Sequence, residues 1–101
     1  LLAYGDGVAD VFEALAAPAR RAILDVLCER DDQTLFELCG RLASDHRVEL
    51  TRQAISQHLA VLEAAGLVRA RRAGRYKYHS VDLGPLRAAL GRWSRTREDP
   101  T

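Results

Sequence analysis

The residues best suited to chemistry lie in one short run, Arg52-Gln53-Ala54-Ile55-Ser56-Gln57-His58-Leu59-Ala60-Val61-Leu62-Glu63-Ala64-Ala65-Gly66. At helical spacing Ile55, Leu59 and Leu62 form an apolar stripe, which leaves Arg52, Gln53, Ser56, Gln57 and Ala60 on the opposite face. An ordinary solvated face mixes Glu with Lys or Arg, but this one has no acid before Glu63. Arg can make paired hydrogen bonds to guanine and Gln to adenine. Ser serves either base, and Ala60 leaves room for close approach or for a thymine methyl. Thr51 is suited to cap the helix and Gly66 to stop it. The free N–H groups and partial positive charge at its start favour phosphate. His58 falls between the apolar and polar faces, where packing or a phosphate contact is expected.

A basic ribbon follows directly. Between Glu63 and Asp82 there is no acid, while Arg69, Arg71, Arg72, Arg75 and Lys77 gather around Ala73-Gly74, interleaved with Tyr76 and Tyr78. Val68 and Ala70 alternate with Arg69 and Arg71, and Tyr76, Tyr78 and Ser80 with Lys77 and His79, which predicts a β-hairpin turning at Ala73-Gly74. His79 is given no role beyond the strand. An edge ribbon that uses charge against aggregation has the same composition. The preceding helix favours an arm contacting phosphate or the minor groove, through Arg71, Arg72, Arg75 and Lys77. Charge is divided accordingly: residues 1–49 hold ten acids and five arginines, a balance of −5, and residues 50–101 ten bases and four acids, a balance of +6.

Other chemistries fare worse. Ser56 and His58 are two apart on a helix and do not face each other, and there is no Gly-rich phosphate loop, paired carboxylate site or nucleophile elbow, so no enzyme is expected. Asp45, His46 and Glu49 are the one compact oxygen and imidazole cluster, of a kind that nickel or zinc accepts, but a polar loop with one His is ordinarily just solvated. Cys39 reads as a small core residue, and a thiol switch with Cys28 requires close packing of two helices. No metal site is complete, and no cofactor is assigned.

These residues need a scaffold, and 101 residues, 48% hydrophobic and 29% charged, suffice for one domain spanning 1–101 with one core. No apolar run reaches the roughly 20 residues of a membrane span. The first residues lack the basic start and apolar core of a signal peptide, which with two cysteines predicts a cytosolic chain. Val8, Val11, Phe12 and Leu15 stripe a first helix that Pro18 ends. Pro18 opens a second, with Ala22, Ile23, Val26 and Leu27 inward as far as Cys28. Glu29 to Gln33 reads as a polar turn. Thr34 and Glu37 form a capping box for a third helix with Leu35, Leu38, Cys39 and Leu42 inward. The polar connection 43–50, whose first residues can extend that helix, leads to Thr51. After the ribbon, Leu86, Ala89, Leu90 and Trp93 stripe a last helix, and Arg95 to Thr101 is a polar, frayed tail.

Three segments carry a family resemblance: Ala16-Ala17-Pro18-Ala19-Arg20-Arg21-Ala22-Ile23-Leu24, the run Ala54 to Val68, and Arg71-Arg72-Ala73-Gly74-Arg75-Tyr76-Lys77-Tyr78. Together they resemble the ArsR/SmtB family of bacterial winged-helix repressors over roughly Val8 to Trp93, the middle segment most specifically. The resemblance implies a mainly α fold with a small β-hairpin, a winged helix-turn-helix of order ααααββα, dimeric through its first and last helices with Val8, Phe12, Leu86, Leu90 and Trp93. It also implies a regulator, in most cases a repressor, that places Thr51, Arg52, Gln53, Ser56, Gln57 and His58 with the wing on inverted-repeat double-stranded operator DNA. Its two recognition helices would sit roughly 34 Å apart. A metal-responsive or thiol-responsive sensor, and a winged helix used only for protein contacts, are the alternatives.

Two departures from the family pattern stand out. Residues 43–50 replace a short turn, which leaves the angle between the two helices of the motif open. Metal-sensing members carry Glu-Leu-Cys-X-Cys-Asp-Leu, whereas this chain has Glu37-Leu38-Cys39-Gly40-Arg41-Leu42, with Arg41 in the second thiolate position. The closing helix also lacks their paired His and acidic residues.

Overall fold

A computed structural model of the chain describes residues 8–94. The tail from Arg95 and the side chain of Val8 lie outside the described residues. The order is α1 (Val8–Ala14), α2 (Pro18–Glu29), α3 (Leu35–Asp45), α4 (Arg52–Ala64), β1 (Val68–Ala73), β2 (Tyr76–Val81) and α5 (Gly84–Ser94), the ααααββα winged arrangement.

The helix boundaries follow from local chemistry. Pro18 occupies the first turn of α2, where its missing N–H costs nothing. In α3 the Glu37 N–H donates to Thr34 Oγ1 at 3.2 Å and the Thr34 N–H to Glu37 Oε1 at 2.9 Å, the reciprocal capping box. Thr51 caps α4 by accepting the Ala54 N–H at 3.0 Å. At its other end Gly66 adopts φ +79°, so that its N–H reaches the Glu63 carbonyl and the Leu67 N–H reaches that of Leu62. That is the paired bonding of a left-handed helix stop.

The connection 43–50 is mostly absorbed. α3 continues to Asp45, and Arg47 at φ +56° turns the chain so that the Val48 N–H donates to the Leu42 carbonyl at 2.8 Å. Val48 packs against the core, and α3 still packs directly on α4. The extra chain becomes helix and a tight reversal, and the two helices remain adjacent.

Ile23, Leu27, Leu38, Leu42, Ile55, Leu62 and Leu67 are fully buried in one cluster shared by α2, α3, α4 and the approach to the ribbon. Each such side chain stabilises the fold by about 1.5–3 kcal/mol relative to leaving it in water. β1 and β2 pair antiparallel from Val68↔Val81 to Ala73↔Tyr76. The two-residue turn is Gly74-Arg75, one residue later than the sequence predicts, with Gly74 at φ +64° as a Gly-first turn requires. This shift puts Arg75 at the tip. Only Val68 of β1 is buried, so the ribbon projects from the body as a wing.

The segment Glu29 to Gln33 differs most from expectation. Gln33 is completely buried and forms an isolated antiparallel bridge with His79, which is itself 4% exposed. The last residue of a run read as a solvated turn therefore makes a single backbone bridge to the second wing strand.

Candidate nucleic-acid interface

The polar face of α4 is open. Thr51, Arg52, Gln53, Ser56, Gln57 and Ala60 are exposed, while Ile55, Leu59 and Leu62 are buried on the opposite side. Among the described residues, the side chains of Arg52, Gln53, Ser56 and Gln57 form no hydrogen bond or ion pair. Their donors and acceptors are therefore available to a ligand. His58 is placed differently: it is half-buried, and its Nδ1 lies 3.2 Å from the Arg20 Nη1 on α2. A guanidinium can only donate, so Nδ1 accepts and the ring proton sits on Nε2. His58 faces the body of the protein.

The wing cations fall into two groups. Arg69 pairs with Asp82 at 3.1 Å, and Arg71 pairs with Asp32 at 3.5 Å while its guanidinium lies over the Tyr78 ring, 4.9 Å from the centroid. These two arginines brace the wing. Arg72, Arg75 and Lys77 are exposed and, among the described residues, have no acid within ion-pair distance. Their charges are not neutralised by any acid among the described residues.

The base of the wing is anchored by residues that sequence patterns did not single out. The Val81 N–H donates to Asp31 Oδ1 at 2.9 Å and the Ser80 hydroxyl to Asp32 Oδ1 at 2.7 Å. The Ser80 bond, reinforced by Arg71, holds the Asp32 carboxyl below its ordinary value. Asp32 itself sits at φ +58°, a left-handed conformation that Asp tolerates better than most residues. The Asp31-Asp32 pair in a turn was the available signal, since short acidic side chains in a turn often bond backbone N–H groups. A cavity of about 450 Å³ separates the first turn of α3, the polar face of α4 and the wing. Phe36, 73% exposed, and Tyr76, 59% exposed, line it together with Ser56, Arg75 and Lys77.

Known proteins share this arrangement. A helix-turn-helix domain model matches residues 15–71, which includes α2, α3, α4 and the start of the wing. The chain is 46% identical over 83 residues to the uncharacterized HTH-type transcriptional regulator YuzN of Bacillus subtilis (strain 168), covering 82% of this chain and 90% of that one. A solved structure of an ArsR-like transcriptional regulator from Rhodococcus sp. RHA1 superposes with a TM-score of 0.72 at 32% identity, over 94% of this chain and 83% of that one. The chain belongs to the ArsR family of helix-turn-helix transcriptional regulators. A further relative, the transcriptional repressor SdpR of Bacillus subtilis (strain 168), is 30% identical over 81 residues, 80% of this chain and 82% of that one. Regulation of transcription, not catalysis, is the business of this family.

In this ArsR-family chain the remaining sequence candidates separate. Phe12, Leu90 and Trp93 are 39%, 51% and 50% exposed, and the Phe12 and Trp93 rings lie 6.2 Å apart, so α1 and α5 present one apolar surface. Leu86 packs partly against the chain's own core, and Ala89 is the buried residue of α5. His46 turns to Glu29, 3.5 Å away, and Asp45 lies 3.9 Å from Arg41. Among the described residues no three His, Cys, Asp or Glu are grouped to hold a metal ion. Cys28 is exposed and Cys39 half-buried, both with free thiols. Desolvation pushes the Cys39 thiol up, against the opposing charge of Arg52, which disfavours the reactive thiolate. No helix among the described residues is long and apolar enough to cross a membrane.

Proposed function

We propose that the chain acts as a homodimeric repressor that binds an inverted-repeat operator. Arg52, Gln53, Ser56 and Gln57 read base edges in the major groove, and Arg72, Arg75 and Lys77 contact phosphate or the minor groove. The observation that carries this reading is the unpaired, acid-free polar face of α4 beside three unpaired wing cations. Surface side chains of this kind are ordinarily laced with counter-charges, and here the acids that could neutralise the wing are spent on Arg69 and Arg71. Arg71 and His58, already engaged within the protein, serve to hold the wing and α4 in place. The exposed surface of Phe12, Leu90 and Trp93 supports pairing with a second copy, which sets two recognition helices on successive turns of the duplex. The name of the relative SdpR supports repression over activation.

The test is a mobility-shift titration on duplex DNA across a range of salt. Binding should weaken as salt rises, and Arg52→Ala and Arg75→Ala should each weaken it further at a given salt concentration. Salt-independent or absent binding by the wild type would leave a winged helix used for protein contacts as the better reading.

A further inference from the structure

We infer that Arg20 couples the α1–α5 surface to the recognition helix, an inference that rests on the DNA-binding reading above. Its guanidinium makes three contacts on three sides. Nε donates to the Ala14 carbonyl at 2.7 Å, Nη2 to the Glu13 carbonyl at 3.2 Å, and Nη1 to His58 Nδ1 at 3.2 Å. The first two acceptors belong to the last turn of α1. The third belongs to α4, directly after Gln57.

The need for such a group follows from the length of α1. A helix of seven residues does not persist alone, and its last carbonyls lack partners within the helix. Arg20 supplies donors to two of them, and Arg21 Nη1 donates to the next, the Leu15 carbonyl, at 2.6 Å. Two cations at this end also oppose the helix dipole favourably. Phe12, two residues before Ala14 and against Trp93, is therefore held where it is by arginines of α2.

The guanidinium is planar and rigid, so its three bonds cannot be adjusted independently. A displacement of the end of α1, as when a second copy seats on Phe12 and Trp93, moves the fork and with it the only acceptor His58 offers to Arg20. Rotation of α4 about its axis changes the same contact from the other side. Val11 and Ala14 of α1 are buried in the core that Leu59 and Leu62 of α4 share, while an open groove of about 410 Å³, lined by Asp10, Glu13, Ala14, Arg20, Val61 and Ala65, lies between the two helices. Along that groove Arg20 spans from the end of α1 to His58 of α4.

A double-mutant cycle tests this, using a duplex of about 30 base pairs selected by the wild-type protein from a random library, long enough for two half-sites one turn apart. His58→Leu keeps the bulk of the ring and removes the acceptor. It should weaken DNA binding by about tenfold while leaving the dimer dissociation constant unchanged in sedimentation. His58→Gln restores an acceptor and should recover most of the affinity. Arg20→Lys keeps the charge but loses the fork, and should weaken both dimer and DNA binding. The combination of Arg20→Lys with His58→Leu should bind DNA no worse than Arg20→Lys alone. Additive losses, or His58→Leu binding like the wild type, would overturn the coupling. Amide exchange in the DNA-free protein separates the two claims, because Arg20→Lys and His58→Leu should each speed exchange at Arg52 to His58. If exchange rises but the wild type binds no DNA, the operator reading fails and the link stands. Unchanged exchange overturns the link whatever the DNA result.

Discussion

Gln33 and His79, 46 residues apart, exchange both of their backbone hydrogen bonds, at 3.0 and 2.8 Å, and His79 Nδ1 adds a third contact to the Gln33 carbonyl at 3.0 Å. A carbonyl only accepts, so Nδ1 carries a proton. The Gln33 side-chain amide in turn donates to the carbonyls of Val26 and Arg30 at the end of α2. One residue thus ties the C-terminus of α2 to the second wing strand. Gln33→Ala should destabilise the fold by about 2–3 kcal/mol, since it removes both side-chain hydrogen bonds to the end of α2 and leaves a void. His79→Phe, which retains volume but loses the ring bond, should cost about 1–2 kcal/mol. Urea unfolding midpoints measure both, and a change near zero for Gln33→Ala would show that the side-chain link to the end of α2 contributes nothing.

Acid should loosen the same region. The Ser80 hydroxyl, then Arg71, hold Asp32 below its ordinary 3.8, and the Thr34 backbone N–H, then Arg30, hold Glu37 below 4.5. A depressed native value means that the unfolded chain binds the proton more readily, so this stabilisation is complete above the unfolded values. It is lost as pH falls below about 4.5 and through the lower native values. Asp32 is exposed and Glu37 partly so, and the effect is correspondingly modest. Replacing them with Asn and Gln should flatten the acid limb of a plot of unfolding midpoint against pH and lower its neutral plateau slightly, where the carboxylates' stabilisation is complete.

Much of this architecture is legible in the sequence because it is local. Thr34 with Glu37, Thr51, Pro18 and Gly66 each state a helix boundary within a few residues of chain, and the acid-free face of α4 needs only the helical period to assemble. What escapes is what depends on distant partners. Gln33 looks solvated until His79 is placed opposite it, and Arg71 and Arg72 are indistinguishable until Asp32 is found beside one of them. His58 likewise has an ambiguous position on the helical wheel, and Arg20, 38 residues earlier, decides it. The connection 43–50 misleads for a related reason, since nothing short-range shows that Arg47 can take a left-handed turn.

Gly66 provides a test of the local rule. Its φ of +79° disfavours any side chain, and a Cβ there would lie 3.2 Å from Pro85 Cγ. Gly66→Ala should lower stability by about 1–2 kcal/mol, from left-handed strain with a tight contact in addition. Because the residue joins α4 to β1, the variant should also bind DNA less well than its stability loss alone explains. Thermal melts paired with the mobility-shift titration separate the two effects.

The α1–α5 surface predicts self-association. Leu90→Glu places a charge at an exposed position on the α5 stripe, three residues before Trp93, so it should spare the monomer fold and weaken pairing by well over tenfold, about 1.4 kcal/mol per decade. Sedimentation velocity measures this. A chain equally dimeric after the change places the interface elsewhere, and a chain monomeric before it overturns the homodimer.

The division among wing cations gives the sharpest expectation for DNA. Removing a cation that contacts phosphate lowers the slope of log affinity against log salt by about one, nearly independently of sequence. Arg75→Ala at the tip, and Arg72→Ala and Lys77→Ala beside it, should each do so, because none has an acid within reach among the described residues. Arg71→Ala should act otherwise. Its charge is already matched by Asp32 and its plane lies over Tyr78, so its loss should leave the slope nearly unchanged while loosening the wing and lowering affinity by a similar factor at all salt concentrations. Equal slopes for Arg71→Ala and Arg75→Ala would mean that DNA displaces Asp32 on binding. Asp32→Asn distinguishes that case, since freeing Arg71 from its partner would then tighten the complex and steepen the slope.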